Sequence, residues 1–215
     1  GAHGAAREIV EALRESSLHV SATWSTPGGV RQDRTFTQEQ IAKESHTLAI
    51  GPTGTLVLHD LRPGRNLYLL GTGTGLAPFM SIIQDPETYE RFEKVIVAHG
   101  VRKVSDLAYT GFITQDLPQH EFLGEIVRDK LLYHPTVTRE SFRTQGRLTD
   151  HIENGQLAQL NGLAPLDPAQ DRFMLCGSAA MLHDCRALLD ARGFHVSQRI
   201  GEPGDYVIER AFVDK

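Results

Sequence analysis

Over most of this chain, apolar residues fall in short unbroken runs separated by longer amphipathic or polar stretches. "NLYLL" (66–70), "KVIVA" (94–98), "LLYHPTV" (131–137), "RFMLC" (172–176) and "YVIERAF" (206–212) are five such runs. Continuous apolarity, rather than strict alternation, marks a strand buried on both faces. Helix signals lie between them. "LAPFMSII" carries Pro78 in its first turn, where a missing N–H costs little. "SDLAYTGFITQDL" reads as a helix capped by Ser105. "LTDHIEN" reads as a short helix stopped by Gly155, and "SAAMLHDCRALLDAR" as an amphipathic one ended by Gly193. Strands that alternate with helices predict right-handed crossovers and a parallel sheet covered on both sides. The expected fold class is α/β: a doubly wound, five-stranded parallel sheet over residues 56–215.

The first 55 residues follow a different pattern. "AAREIVEALRES" has the apolar spacing of a helix, "LHVSATWS" that of a strand, and "TPGG" is a turn signal. "QDRTFTQEQIAKESH" is polar and is expected to be short helix or loop. A segment of this length falls below ordinary domain size.

Composition narrows the function classes. The 215 residues carry a formal net charge of −5, and mild acidity argues against a nucleic-acid partner. No apolar run reaches membrane-spanning length, and no basic region followed by an apolar core opens the chain. The chain begins Gly1-Ala2-His3, as a fragment or a processed end would. Cys176 and Cys185 are the 2 cysteines, and neither CxxC nor HExxH occurs, so no metal site is expected. The default is a reduced, cytoplasmic protein.

The candidate chemistry sits at the ends of the apolar runs. Gly71, Gly73 and Gly75 alternate with Thr72 and Thr74 between the first strand and its helix. Glycine permits φ > 0 and close backbone approach to a ligand, and a helix N-terminus offers free N–H groups. The ordinary GxGxxG fingerprint would need glycine where Leu76 stands. A ligand loop and a tight structural turn therefore both remain open. The second strand ends in "AHGVR", with Arg102 and no acidic residue for a ribose 2′-hydroxyl. The third leads into Thr138, Arg139, Arg143 and Arg147. Guanidinium groups present several donors in a fixed fork, which suits a phosphate dianion. This grouping favours NADP(H) over NAD(H). The fourth strand ends in Cys176-Gly177-Ser178 at a helix start, while Cys185 reads as packing.

On these segments the chain resembles the bacterial ferredoxin–NADP(+) reductases, or flavodoxin reductases. The stretches that carry the likeness run from "PTGTLVLHDLRPGRNLYLLGTGTGLAPF" through "VIVAHGVR", "YHPTVTRE", "GRLTD" and "DRFMLCGS" to "GEPGDYVIERAFVDK". The resemblance implies an oxidoreductase that uses FAD and passes electrons between NADPH and ferredoxin or flavodoxin. It implies that Arg102, Thr138, Arg139 and Arg147 hold the 2′-phosphate of NADP. Gly71, Thr72, Gly73, Thr74 and Gly75 would lie by the pyrophosphate and nicotinamide, with Thr74 near the flavin. Cys176 and Gly177 would face the nicotinamide, and Glu209 would stand beside the reacting rings. Ala211, Phe212 and Lys215 would form a C-terminal tail against the flavin. The family's R-x-Y-S/T flavin motif does not occur. Residues 1–55 then read as a divergent or truncated remnant of an FAD-binding barrel. Two alternatives follow: an NADP(H)-binding fragment without turnover of its own, or the reductase component of an oxygenase.

Overall fold

Main-chain pairing joins residues 66–72, 94–101, 131–137, 171–177 and 206–210 into a single parallel sheet. The computed structural model describes residues 20–25, 31–36, 56–199 and 201–210, with side chains for 56–199 and 201–209. Two compact units divide the chain, Gly1–Thr53 and Gly54–Lys215. In the first, β1 (Val20–Ser25) pairs antiparallel with β2 (Arg31–Phe36), Val20 opposite Phe36 and Ser25 opposite Arg31. The strand at Arg31–Phe36 corrects the expectation of helix or loop there. An antiparallel ladder is held by main-chain groups, so a polar stretch can supply it as well as an apolar one. The expected helix in residues 5–16 and the "TPGG" turn lie outside the described residues.

In the second unit the strands are β3 (Asn66–Thr72), β4 (Lys94–Val101), β5 (Leu131–Val137), β6 (Asp171–Gly177) and β7 (Tyr206–Arg210). Their order across the sheet is β5-β4-β3-β6-β7. The chain starts in the centre, moves outward twice, then returns to the other side. The turning point therefore lies between β3 and β6, where neighbouring connections leave in opposite directions and open a crevice.

The alternating pleat sends side chains to two cores. Leu67, Leu69, Val95, Val97, Met174 and Val207 face α1 (Ala77–Ile82), α2 (Pro86–Arg91) and α3 (Gly124–Lys130). Tyr68, Leu70, Ile96, Ala98, Phe173 and Leu175 face α4 (Leu148–Glu153), α5 (Gln156–Gln159) and α6 (Ala179–Ala191). Burial on both faces is why these strands read as continuous apolar runs. Fully burying a side chain such as Leu69 or Phe173 stabilises by about 1.5–3 kcal/mol. Cys176 belongs to the first core and Cys185 to the second.

Local signals explain the helix ends. Ser178 caps α6 by accepting from Met181 N, and Gly193 ends it at φ 84°. Gly155 stops α4 at φ 79°. Asp85 caps α2, accepting from Glu87 N at 2.9 Å, ahead of Pro86. The helix expected from Ser105 does not form as one piece. A 3₁₀ turn at Val104–Asp106 is followed by a π-helical turn at Phe112–Asp116 and another 3₁₀ turn at Leu117–Gln119. The cap comes from Asp106, whose carboxylate accepts from Lys103 N at 3.1 Å. Tyr109 then takes the left-handed conformation (φ 63°), which interrupts any regular helix. The regular helix comes later, at α3.

Candidate functional site at the carboxyl edge of the sheet

The carboxyl ends of β3 and β6 meet in close backbone contact. Thr72 ends β3, and its hydroxyl accepts from Ser178 N at 3.3 Å. The chain then tightens into a 3₁₀ turn, Gly73–Leu76, that enters α1. The three glycines of this loop answer different demands. A Cβ on Gly75 would stand 2.3 Å from the Cys176 carbonyl oxygen and 2.8 Å from Gly177 Cα. A Cβ on Gly177 would stand 2.2 Å from the Thr72 hydroxyl. Gly71 has Leu76 against it at 3.2 Å. Gly75 and Gly177 let the two main chains touch, and Gly71 lets the loop fold back over the end of β3. Gly73 alone takes a left-handed φ, +54°, and nothing lies within 4 Å of its Cβ position. The open side of the loop is therefore at Gly73 and the exposed Thr74.

Across the edge, the register aligns Pro135, His99, Gly71, Cys176 and Glu209 in one row. Cys176 is 1% exposed, and burial, then the Glu209 carboxylate, pushes its thiol up to about 11. It is an uncharged side chain at neutral pH. Glu209 is half-buried beside it. His99 is fully buried; its Nδ1 lies 3.2 Å from Tyr133 Oη, and its Nε2 has no partner among the described residues. Burial lowers its pKa to about 4, opposed by the Gly73 backbone.

The other half of the edge is cationic. Arg139 N donates to Arg102 O at 2.9 Å, which fixes the exits of β4 and β5 side by side. Thr138 reaches back to Val101 O through both its N–H and its hydroxyl. The segment 138–147 returns along β5, where Val137 N donates to Thr144 O and Gly146 N to Val137 O. Arg102, Arg139, Arg143 and Arg147 are all exposed, and among the described residues none pairs with a carboxylate. Four cations thus gather at the β4–β5 end of the same sheet edge with donor capacity to spare.

A family model for the oxidoreductase NAD-binding domain matches residues 69–187. The chain is 60% identical over 178 residues to a ferredoxin–NADP reductase of Azotobacter vinelandii, covering 82% of this chain and 69% of that one. It is 59% identical, over the same shares, to a ferredoxin–NADP reductase of Pseudomonas aeruginosa. The chain belongs to the ferredoxin–NADP reductase family. Its fold resembles that of a Neisseria gonorrhoeae ferredoxin NADP+ reductase with bound FAD and NADP, at a TM-score of 0.66 and 22% identity. That likeness covers 92% of this chain and 87% of the other.

Within the ferredoxin–NADP reductase frame, the structure brings the expected residues into two groups. Gly71 to Gly75 meet Cys176 and Gly177 at the β3–β6 crevice, with Glu209 one strand further out. Arg102, Thr138, Arg139 and Arg147 lie at the β4–β5 end. From β5 to β6 is three strand spacings, about 14 Å. Ala211, Phe212 and Lys215 lie outside the described residues. No motif in the sequence singles out His99, His134, His151 or Asn161. The signal was a histidine inside each of two apolar strands, "VIVAHGV" and "LLYHPTV", where burial demands a hydrogen-bond partner.

Proposed function

We propose that this chain is a flavin-dependent oxidoreductase that moves electrons between NADPH and ferredoxin or flavodoxin. The reading rests on one arrangement: an open, left-handed Gly73 at the crevice and unpaired arginines at the far end of the same sheet edge. A dinucleotide laid across that edge would put its adenosine 2′-phosphate by Arg102, Thr138, Arg139 and Arg147. Its nicotinamide would then reach Cys176 and Gly177. The residues fit such a ligand. The Gly73 side of the loop is clear, the arginines pair with no carboxylate among the described residues, and the buried Cys176 thiol puts no charge beneath the place proposed for the nicotinamide.

When bound, FAD would accept a hydride and release electrons singly, chemistry that amino-acid side chains do not supply. The chain's own residues orient and enclose. Thr72 fixes the β3–β6 junction through Ser178 N. Thr74 is exposed toward the place proposed for the flavin, with Glu209 offering a half-buried carboxylate near the reacting rings. Ala211, Phe212 and Lys215 would form the tail that covers the ring. Residues 1–55 would be a shortened or divergent flavin barrel and residues 56–215 the nucleotide domain. The natural acceptor would be an acidic one-electron carrier in the cytoplasm.

The absence of R-x-Y-S/T supports a second reading, a nucleotide-binding unit without turnover. A visible absorption spectrum of the purified protein separates them, taken alone, with FAD and then with NADPH. Flavin bands that bleach with NADPH support the reductase. No retained flavin, with NADPH still bound, refutes it in favour of the second reading.

A further inference from the structure

A buried side-chain relay runs beneath the arginine-bearing segment. The Asn161 amide lies 3.1 Å from His134 Nδ1. His134 Nε2 lies 3.0 Å from His151 Nδ1. His151 Nε2 lies 3.1 Å from the Gln145 carbonyl oxygen. Both histidines are buried, 3% and 2% exposed, and their rings meet edge-on.

Both ends of the relay set the same direction. Asn161 Nδ2 also donates to Leu157 O at 2.7 Å, so the atom facing His134 is the amide nitrogen, a donor. His134 Nδ1 must accept, which leaves its Nε2 protonated and donating to His151. At the far end a carbonyl only accepts, so His151 Nε2 carries the proton that reaches Gln145. No member is left without a partner, the condition under which a buried polar network fixes one arrangement.

Gln145 lies between Arg143 and Arg147. Gly146, at φ +131°, folds over the same ring: a Cβ there would be 3.1 Å from His151 Nε2. The segment is tied at Thr138 and Arg139 to the end of β4, at Glu140 to Val104 N and at Arg147 to the Asp150 carboxylate; around Gln145 it is held by the Val137–Gln145 bridge and the bond from the Thr144 hydroxyl to Pro135 O. Arg143 lies over the ring of its neighbour Phe142, 5.9 Å from the centroid, and Arg147 pairs with no carboxylate among the described residues, so the guanidinium positions follow this backbone.

We infer that the Asn161–His134–His151 relay is a positioning device that holds the Gln145 backbone and thereby sets selectivity for a 2′-phosphate. The inference rests on the nucleotide reading above. His134 and His151 touch no ligand in this scheme; they act through the loop.

The test is calorimetric titration of the full chain with 2′,5′-ADP and with 5′-AMP. The parent should prefer 2′,5′-ADP. His151→Phe keeps ring volume but cuts the bond to Gln145. It should lose about tenfold in 2′,5′-ADP affinity, the worth of one hydrogen bond to a charged group. Its 5′-AMP affinity should stay within about twofold. His151→Gln keeps a donor for Gln145 and should restore most of the preference. Should His151→Phe fail to fold, Gly146→Ala decides, because it disturbs the exposed loop over the same ring. It should show the same selective loss. A parent that binds both probes equally refutes the nucleotide reading. A parent that prefers 2′,5′-ADP, with folded variants that keep the preference or lose both probes alike, overturns the relay.

Discussion

Gly75→Ala should be much more damaging than Gly73→Ala, although the two glycines are two residues apart in one loop. At Gly75 the added methyl would stand 2.3 Å from the Cys176 carbonyl oxygen, 2.6 Å from its carbon and 2.8 Å from Gly177 Cα. All three atoms are main chain of β6, so no side chain can swing away. Relief requires separating β3 from β6 or unwinding the turn. Overpacking of this kind costs about 1–3 kcal/mol, and a backbone obstacle belongs at the upper end. At Gly73 the methyl meets open space, and only the left-handed φ of +54° is charged against it, about 1–2 kcal/mol. A domain of this size loses about 2–4 °C of Tm per kcal/mol. Calorimetric or fluorescence melting should therefore show a drop of about 6–12 °C for Gly75→Ala and about 2–8 °C for Gly73→Ala. Nucleotide affinity should follow the opposite order among molecules that remain folded. A Gly75→Ala protein melting within 2 °C (roughly the cost of half a kcal/mol) of the parent would refute the close-packing account.

Four further outcomes are expected. Arg139→Ala and Arg147→Ala should each weaken NADPH binding about ten- to a hundredfold while leaving NADH binding unchanged, by fluorescence titration. Equal losses would remove the phosphate assignment. The folded protein should resist thiol alkylation at pH 7, because at a pKa of about 11 roughly one Cys176 in ten thousand is thiolate; mass spectrometry of fast labelling at that site would contradict this. Asp205→Ala should cost about 3–5 kcal/mol in denaturant unfolding. It strips the buried Arg172 of its 3.7 Å partner and His195 N of its acceptor; a loss under 1 kcal/mol (the range of an ordinary surface pair) would contradict that role. Stability should also fall on acidification. Burial holds His99 and His134 near 4 in the folded state against about 6.5 unfolded, so the unfolded chain takes up protons first. Between pH 7.5 and 5 each histidine should remove about 2 kcal/mol, and flat urea midpoints over that window would exclude it.

The five strands were legible because burial on both faces leaves a plain mark, an unbroken apolar run such as "KVIVA". The capped and glycine-stopped helix Ala179–Ala191 was legible for the same local reason. The stretch after β4 was not. Residues 104–119 have helix-like composition, yet Tyr109 in a left-handed conformation and the turns around it are set by tertiary packing of Ile113 and Leu117. Helix α2 was overlooked because its Asp85-Pro86 start signal sits three residues past the end of α1. At the site, motif reading located the glycines and arginines but could not separate their duties. Only the fold shows that Gly71, Gly75 and Gly177 serve chain packing while Gly73 faces outward. The histidine relay was beyond reach, because its three side chains come from β5, α4 and the turn after α5, and only folding brings them together.

The fastening of segment 138–147 has a bearing on solubility as well as recognition. β5 forms one border of the sheet, and a bare border invites pairing with another chain. Here Pro135 has no N–H to offer, and residues 144–146 occupy the main-chain groups of Val137. The loop that carries the arginines is thus also the hem that stops the sheet from growing by recruitment of neighbours. Redesigning it to accept a different nucleotide while discarding Thr144 or Gly146 would trade a change in preference for a tendency to aggregate. A grafted loop that keeps those two residues and varies only the arginines leaves the hem sewn.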